Sequence, residues 1–163
     1  MPAEVSSNLA RFDGIRYGTK TEGVNLWDEY KKTRANGFGA EVKRRIMLGT
    51  YVLSAGYADQ YYEKALALRE QMKEKLAEVF TDYDFIATPT SPIPAFKIGE
   101  KSEDPVAMYL ADVFTVSANI AGIPAISIPS GVVSVDGKDL PVGVQFMAGS
   151  KQDQQLLNFA KSV

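Results

Sequence analysis

The chain contains neither cysteine nor histidine among its 163 residues. Without cysteine it can form no disulfide bond, supply no thiol nucleophile and hold no thiolate-ligated metal, which suits a reducing compartment. Without histidine it can build neither a Ser-His-Asp triad nor an imidazole-ligated metal site. We therefore expect no metal site in this chain, and any proton transfer must involve carboxylates, lysine, tyrosine or a partner molecule.

Long apolar runs and a strong net charge are missing as well. No uninterrupted apolar stretch approaches the roughly 20 residues that a helix needs to cross a bilayer, and the N-terminal residues lack a signal-peptide pattern. The net charge of −2 gives no general attraction for nucleic acid. The hydrophobic fraction of 45% is sufficient for one domain with a substantial core. These features predict a cytoplasmic protein that does not bind membranes.

Two helical patterns carry a charge at an unusual position. The first pattern begins near Ala40, and its apolar face holds Val42, Ile46, Gly49 and Leu53. Arg45 lies on the flank of that face, whereas Arg44 projects from the opposite side and is expected to be solvated. The second pattern covers residues 106–121, where Asp112 is the only charged residue and lies on the flank of the apolar face.

Two interpretations of Arg45 and Asp112 are open from spacing alone. They could be structural ions that pair with each other or with backbone groups, because an unpaired buried charge is very costly. Alternatively, they could line a polar pocket and bind the carboxylate and the ammonium of a zwitterion. Spacing alone favours the structural interpretation.

The remaining segments predict an α/β fold, in which helices cover a mixed β-sheet. Residues 1–18 predict a surface loop with a small strand, or a recognition loop containing Arg16 and Tyr17. Residues 25–36 predict a short helix with Trp27 as a core anchor, and residues 58–80 predict the longest helix. Strands are expected at residues 83–87 and 125–128, and in a hairpin of residues 132–135 and 142–147 around an Asp136-Gly137 turn. Residues 153–161 begin a last amphipathic helix.

Hydroxyl groups follow the first predicted strand. Thr88, Thr90 and Ser91 lie at its C-terminal end, where open α/β sheets place their binding sites. Such hydroxyls more often bond to nearby backbone than to a ligand.

Five segments of the chain resemble the amidase-signature family, in that family's order. They read SSNLARFDGIRYG, GFGAEVKRRIMLGTYVLSAGYADQYY, YDFIATPTSPIPAF, ANIAGIPAISIPSG and LPVGVQFMAG. Together they resemble the C-terminal third of the family, and the resemblance extends over essentially all 163 residues. RFDGIRYG and GFGAEVKRRI are similar, more narrowly, to the A-subunit branch of the glutamyl-tRNA(Gln)/aspartyl-tRNA(Asn) amidotransferases. We therefore expect residues 1–163 to form one partial domain of the amidase-signature fold.

The resemblance implies an activity and a set of partners. In this branch the A subunit hydrolyses glutamine and releases ammonia. The ammonia passes to a B subunit, where ATP and a divalent metal activate a misacylated tRNA, and a small C subunit braces the pair. The same resemblance assigns two substrate-binding residues to this sequence: Arg45 for the α-carboxylate of glutamine and Asp112 for its α-ammonium. With the family in view, the substrate-binding interpretation of the two residues becomes the favoured one.

No segment matches the glycine- and serine-rich stretch that carries the family's Ser–cis-Ser–Lys triad. Ser6 and Ser7 lack the flanking glycines that would expose an alkoxide to an oxyanion hole, so we expect no catalytic residue in this chain and no glutaminase activity from it alone. Two alternatives stay open: a fragment of another amidase-signature hydrolase acting on small amides, and a non-catalytic interaction module. Exposed strand edges would also favour self-association of such a fragment.

Overall fold

A computed structural model describes residues 1–101 and 104–163. The chain divides into two compact units, residues 1–67 and 68–163. The first unit is helical, and the second combines helices with a three-stranded sheet. The predicted α/β class is therefore confirmed, whereas the single partial domain over residues 1–163 stays a prediction. In the part of the chain that is described, no helix is long and apolar enough to cross a membrane.

The first unit begins with helix α1 (Pro2–Leu9), which packs against helix α3 (Ala40–Val52). The two backbones meet at Gly49, where a β-carbon would collide with the carbonyl oxygen of Pro2 and with Ser6 Oγ. The prediction of a loop with a small strand for the first residues was wrong. A helix of 8 residues is marginal in isolation, so its stability comes from a contact with a segment some 40 residues away and leaves little local signal.

Helix α2 (Leu26–Gly37) confirms the short helix that the sequence predicts. Asn25 caps it by accepting a hydrogen bond from the Asp28 amide at 2.9 Å. Trp27 is not a core anchor, and that prediction was wrong: the residue is 66% exposed. Its ring stacks on Tyr30 with the centroids 6.0 Å apart, and the Lys31 ammonium lies 5.1 Å from its centroid. The indole therefore packs on its own helix, while Thr33 is the buried residue of α2.

The loop between α1 and α2 is held in place from α2. Arg34 donates from Nη1 to the carbonyls of Leu9 and Phe12, at 3.0 and 3.1 Å. Within the loop, the Asp13 carboxylate accepts the backbone N–H groups of Ile15 and Arg16. These backbone bonds are the main reason that the pKa of Asp13 lies below its ordinary value. The loop is thus an ordered surface feature.

The long helix predicted over residues 58–80 is divided. Residues Ala58–Glu63 form a π-helix, and helix α4 (Lys64–Asp82) continues from it. The boundary between the two compact units falls inside α4. A π-helix keeps the helical direction of the chain but changes the number of residues per turn. The side chains of residues 58–63 therefore do not continue the regular α-helical spacing of α4.

The second unit contains an antiparallel sheet in the order β1-β3-β2. Its strands are β1 (Phe85–Pro89), β2 (Ala125–Val135) and β3 (Lys138–Ala148). Strands β2 and β3 form the predicted hairpin around Asp136 and Gly137, whose φ angles of 51° and 73° suit the tight turn. The separate strand predicted at residues 125–128 is the first part of β2, which continues past an irregularity between Pro129 and Gly131.

Helices lie on both faces of this sheet. Helix α7 (Asp153–Ser162) covers one face, where Phe159 lies 4.5 Å from Phe85 and 4.8 Å from Phe146, measured between ring centroids. Helix α6 (Val116–Ala121) follows helix α5 (Pro105–Leu110) and lies on the other face, where Ser117 Oγ contacts Met147. The sheet therefore forms the middle layer of the second unit.

Candidate functional site

Arg45 lies on α3 with its side chain 35% exposed, between the buried and solvated faces as the sequence predicts. Its Nε donates to Oε1 of Glu41 at 2.9 Å, one helical turn earlier. The other oxygen of the same carboxylate accepts from Arg44 Nη1 at 2.6 Å. Glu41 thus receives a bond from each member of the arginine pair, and its bond to Nε constrains the plane of the Arg45 guanidinium.

Asp112 does not lie inside a helix, and the continuous helix predicted over residues 106–121 was wrong. Helix α5 ends at Leu110 and α6 begins at Val116, and Asp112 is an exposed residue in the turn between them. The backbone continues through this turn with bonds to the third preceding residue, for example from the Asp112 amide to the Tyr109 carbonyl at 3.2 Å. This tighter pattern replaces regular α-helical bonding at Asp112.

Two side chains from distant parts of the chain bond to carbonyls on either side of Asp112. Ser91 Oγ donates to the carbonyl of Ala111 at 3.2 Å, and Gln145 Nε2 donates to the carbonyl of Phe114 at 3.0 Å. A continuous helix would use those two carbonyls as acceptors for its own backbone amides. Hydrogen bonds from distant side chains therefore compete with the helical ladder at the residues that flank Asp112.

A row of polar side chains crosses the sheet beneath this turn. Thr88, Gln145 and Ser127 are register partners on β1, β3 and β2 and share one face. Gln145 is buried and donates to Thr88 Oγ1 at 3.1 Å, while Thr90 Oγ1 lies 2.6 Å from Ser127 Oγ. The hydroxyls of Thr88 and Thr90 therefore bond across the sheet, whereas Ser91 Oγ also accepts the nearby Ile93 amide at 3.5 Å.

An open cleft of about 730 Å³ begins at the same end of β1. Residues with hydroxyl side chains line it together with prolines and other apolar residues. The lining hydroxyls are those of Thr88, Thr90, Ser91, Ser127 and Ser130. Ser91 is the link between this cleft and the turn of Asp112, because its hydroxyl lines the cleft and also bonds to Ala111.

Ser6 and Ser7 are engaged within α1. Their hydroxyls donate to the carbonyl of Ala3 at 2.9 and 3.2 Å. Neither bond involves a basic group that could accept the hydroxyl proton, so these contacts do not activate a nucleophile. The expectation that this chain carries no catalytic residue remains a prediction.

The two predicted substrate residues thus have different surroundings. Arg45 belongs to the first unit and Asp112 to the second, and their convergence on one substrate stays a prediction from the sequence. Glu41 is absent from the sequence-based expectations, although its position four residues before Arg45 is a recognised spacing for a helical ion pair. Gln145 is absent too, and a lone glutamine in an apolar strand gives only a weak signal of a buried hydrogen bond.

Comparison with known proteins identifies the family. The profile of the amidase family matches residues 1–157. The chain belongs to the amidase family. Curated relatives carry the name of the glutamyl-tRNA(Gln) amidotransferase A subunit: the protein of Pelagibacter ubique is 55% identical over 98% of this chain, and that of Clostridium botulinum strain Eklund 17B is 56% identical over 98%. The resemblance to the A-subunit branch is therefore confirmed. The chain spans about a third of the length of these relatives, 32% in both cases.

Solved structures support the fold alone. A protein from a vestigial complex related to the origin of an s-triazine catabolic enzyme matches 80% of this chain and 28% of its own, with a TM-score of 0.63 and 24% identity. The 6-aminohexanoate cyclic dimer hydrolase matches 98% of this chain and 32% of its own, with a TM-score of 0.61 and 17% identity. The identities are too low to transfer a substrate, but the similar backbones agree with the amidase-family assignment.

Proposed function

We propose that this chain is the glutamine-recognition part of the glutamine-hydrolysing subunit of a tRNA-dependent amidotransferase. The observation that carries the proposal is the identity of 55% to a glutamyl-tRNA(Gln) amidotransferase A subunit over 98% of the chain. The complete enzyme would release ammonia from glutamine in the cytoplasm and use it to convert glutamyl-tRNA to glutaminyl-tRNA. Its B and C subunits would be the protein partners, and the B subunit would hold ATP and a divalent metal.

Arg45 and Asp112 would bind the two charged ends of glutamine. A guanidinium presents a planar fork of donors that matches a carboxylate, which a lysine ammonium cannot reproduce. The hydrogen bond that Arg45 Nε donates to Glu41 supports this role, because it limits the rotation of the guanidinium. A carboxylate in an exposed turn, as at Asp112, remains accessible to the α-ammonium of an amino acid.

The test replaces the matching segment of the Clostridium relative with this chain. We expect the chimeric subunit, assembled with the B and C subunits of that organism, to release ammonia from glutamine and to form glutaminyl-tRNA. A subunit with the same segment deleted should do neither. If the chimera folds and assembles but shows no glutamine-dependent activity, the proposed role of this chain is wrong.

The alternative of an amide hydrolase without amino-acid recognition makes a different prediction. Such an enzyme has no need to bind a zwitterion, so its activity on simple amides would survive removal of either charge. We expect instead that Arg45→Ala and Asp112→Ala each raise the KM of the chimera for glutamine at least tenfold, a change of about 1.4 kcal/mol in binding. Unchanged KM values for both variants would favour the hydrolase.

A second test concerns the chain alone. Because no segment of the sequence matches the glycine- and serine-rich stretch that carries the family's triad, we expect the purified polypeptide to show no glutaminase activity. Turnover by the pure chain that disappears in Ser6→Ala or Ser7→Ala would contradict this part of the proposal.

A further inference from the structure

The turn that carries Asp112 is held on both sides of that residue, by Ser91 just after β1 and by Gln145 on β3. The carbonyl of Ala111, immediately before Asp112, accepts from Ser91 Oγ at 3.2 Å. The carbonyl of Phe114, two residues after it, accepts from Gln145 Nε2 at 3.0 Å. The backbone around Asp112 is therefore held by two side chains that are distant in sequence.

Gln145 is itself fixed in position. It is 4% exposed, and its Nε2 atom donates to Thr88 Oγ1 at 3.1 Å as well as to Phe114. Both hydrogens of the amide are thus used, one toward β1 and one toward the turn. A buried amide with both donors satisfied has one favoured orientation. The position of β3, the central strand, therefore determines where the Phe114 carbonyl of the turn is held.

The Asp112 carboxylate needs such support. Within the described residues its side-chain oxygens accept no hydrogen bond and form no ion pair, and the residue is exposed. The backbone alone therefore sets the position from which this side chain extends. The contacts of that backbone also include the Asp112 carbonyl, which accepts from the Thr115 and Val116 amides at 3.1 Å.

We propose that Gln145 and Ser91 are positioning residues that hold Asp112 in the orientation required for the α-ammonium group of glutamine. This inference rests on the proposed function, because it assigns Asp112 to substrate binding. Neither residue touches the substrate in this proposal. Their effect on binding therefore requires the ammonium group on the ligand and the carboxylate on Asp112.

The first experiment measures amide hydrogen exchange in the full 163-residue chain. Gln145→Met keeps a side chain of similar length and removes both donors. We expect exchange of the Thr115 and Val116 amides to accelerate about fivefold to tenfold, the effect of losing one net hydrogen bond. Gln154→Met is the matched control, since Gln154 bonds only within the exposed surface of α7. Equal exchange rates of the Thr115 and Val116 amides in the wild type and in Gln145→Met would show that Gln145 does not hold the turn and would overturn the proposal.

The second experiment measures dissociation constants for glutamine and for glutaramate, which lacks the α-amino group. Gln145→Met should raise the dissociation constant for glutamine about tenfold. It should raise that for glutaramate less than about twofold, because glutaramate makes no contact with Asp112. Ser91→Ala provides an independent variant if Gln145→Met folds poorly, and Ser162→Ala controls for the loss of a serine hydroxyl that bonds to a carbonyl. A loss of affinity that is equal for both ligands would show a general structural role and overturn the proposal.

A double-mutant cycle separates this inference from the proposed function. In an Asp112→Asn background, Gln145→Met should change glutamine affinity less than about twofold, because its effect acts through the carboxylate. If Asp112→Asn itself has no effect on glutamine binding, the proposed function fails. If Asp112→Asn weakens binding but Gln145→Met and Ser91→Ala do not, the positioning role fails and the proposed function stands.

Discussion

The Nε atom of Arg45 donates to Oε1 of Glu41 across 2.9 Å, one turn apart on the same helix. Arg44 bonds to the second oxygen of that carboxylate, so Glu41 organises both arginines although they project in different directions. A pair that lies on one helix forms without any tertiary contact, and it can therefore orient the Arg45 guanidinium as soon as the helix forms.

Arg45→Lys keeps the positive charge and removes the planar fork of donors. We expect the glutamine KM of the chimeric enzyme to rise about tenfold or more, because a lysine cannot make two parallel hydrogen bonds to one carboxylate. The measurement is steady-state ammonia release. Arg44→Lys is the matched control and should leave the KM nearly unchanged, since Arg44 is 53% exposed and has no proposed contact with glutamine. Equal effects of the two variants would contradict a specific role for Arg45.

Glu41→Ala removes the acceptor that the two arginines share. Both pairs are partly exposed, so we expect the free energy of unfolding to fall by only about 0.5–1 kcal/mol, the sum of two helical ion pairs at low salt. Urea denaturation measures this value. The loss should shrink at 1 M salt, where charges are screened within about 3 Å. A loss of several kcal/mol that is independent of salt would mean that Glu41 has a buried role.

Gly49→Ala introduces a β-carbon where α1 crosses α3. The added atom meets the backbone carbonyl of Pro2, which cannot move without displacing α1, so we expect a loss of about 1–3 kcal/mol in stability. Chemical denaturation gives the magnitude, and faster exchange of the α1 amides gives the location. Gly37→Ala is the control, because a β-carbon there meets no atom within 4 Å. Similar losses for both variants would argue against the contact of the two helices.

The pKa of Asp13 gives a prediction for acidic pH. Its carboxylate accepts the backbone N–H groups of Ile15 and Arg16, and these bonds hold its pKa below the ordinary value of 3.8. A depressed folded-state pKa means that this stabilisation is present above pH 3.8 and is lost as the pH falls through the lower, folded value. An NMR titration should show the Ile15 and Arg16 amides shifting together with the Asp13 carboxyl carbon. Asp13→Asn should abolish that shared transition.

Local signals were sufficient for several elements. The Asn25 cap and the glycines after residue 36 define α2, because capping and chain termination depend on neighbouring residues. The Asp136-Gly137 pair defines the hairpin, because its tight turn requires left-handed backbone at both positions. The family resemblance also came from short motifs, and the profile match over residues 1–157 confirms it.

The sequence by itself determined the α/β class, the family, the position of α2 and the hairpin, and the choice of Arg45 and Asp112 as candidates. Only the tertiary structure decided that α1 is a helix, that Trp27 is exposed and that the helix around Asp112 is interrupted. The first and the last of these depend on partners far along the chain, Gly49 for α1 and Gln145 for the Asp112 turn. A periodic pattern reports which side of an element is apolar, but it does not report which distant side chain competes for a backbone carbonyl.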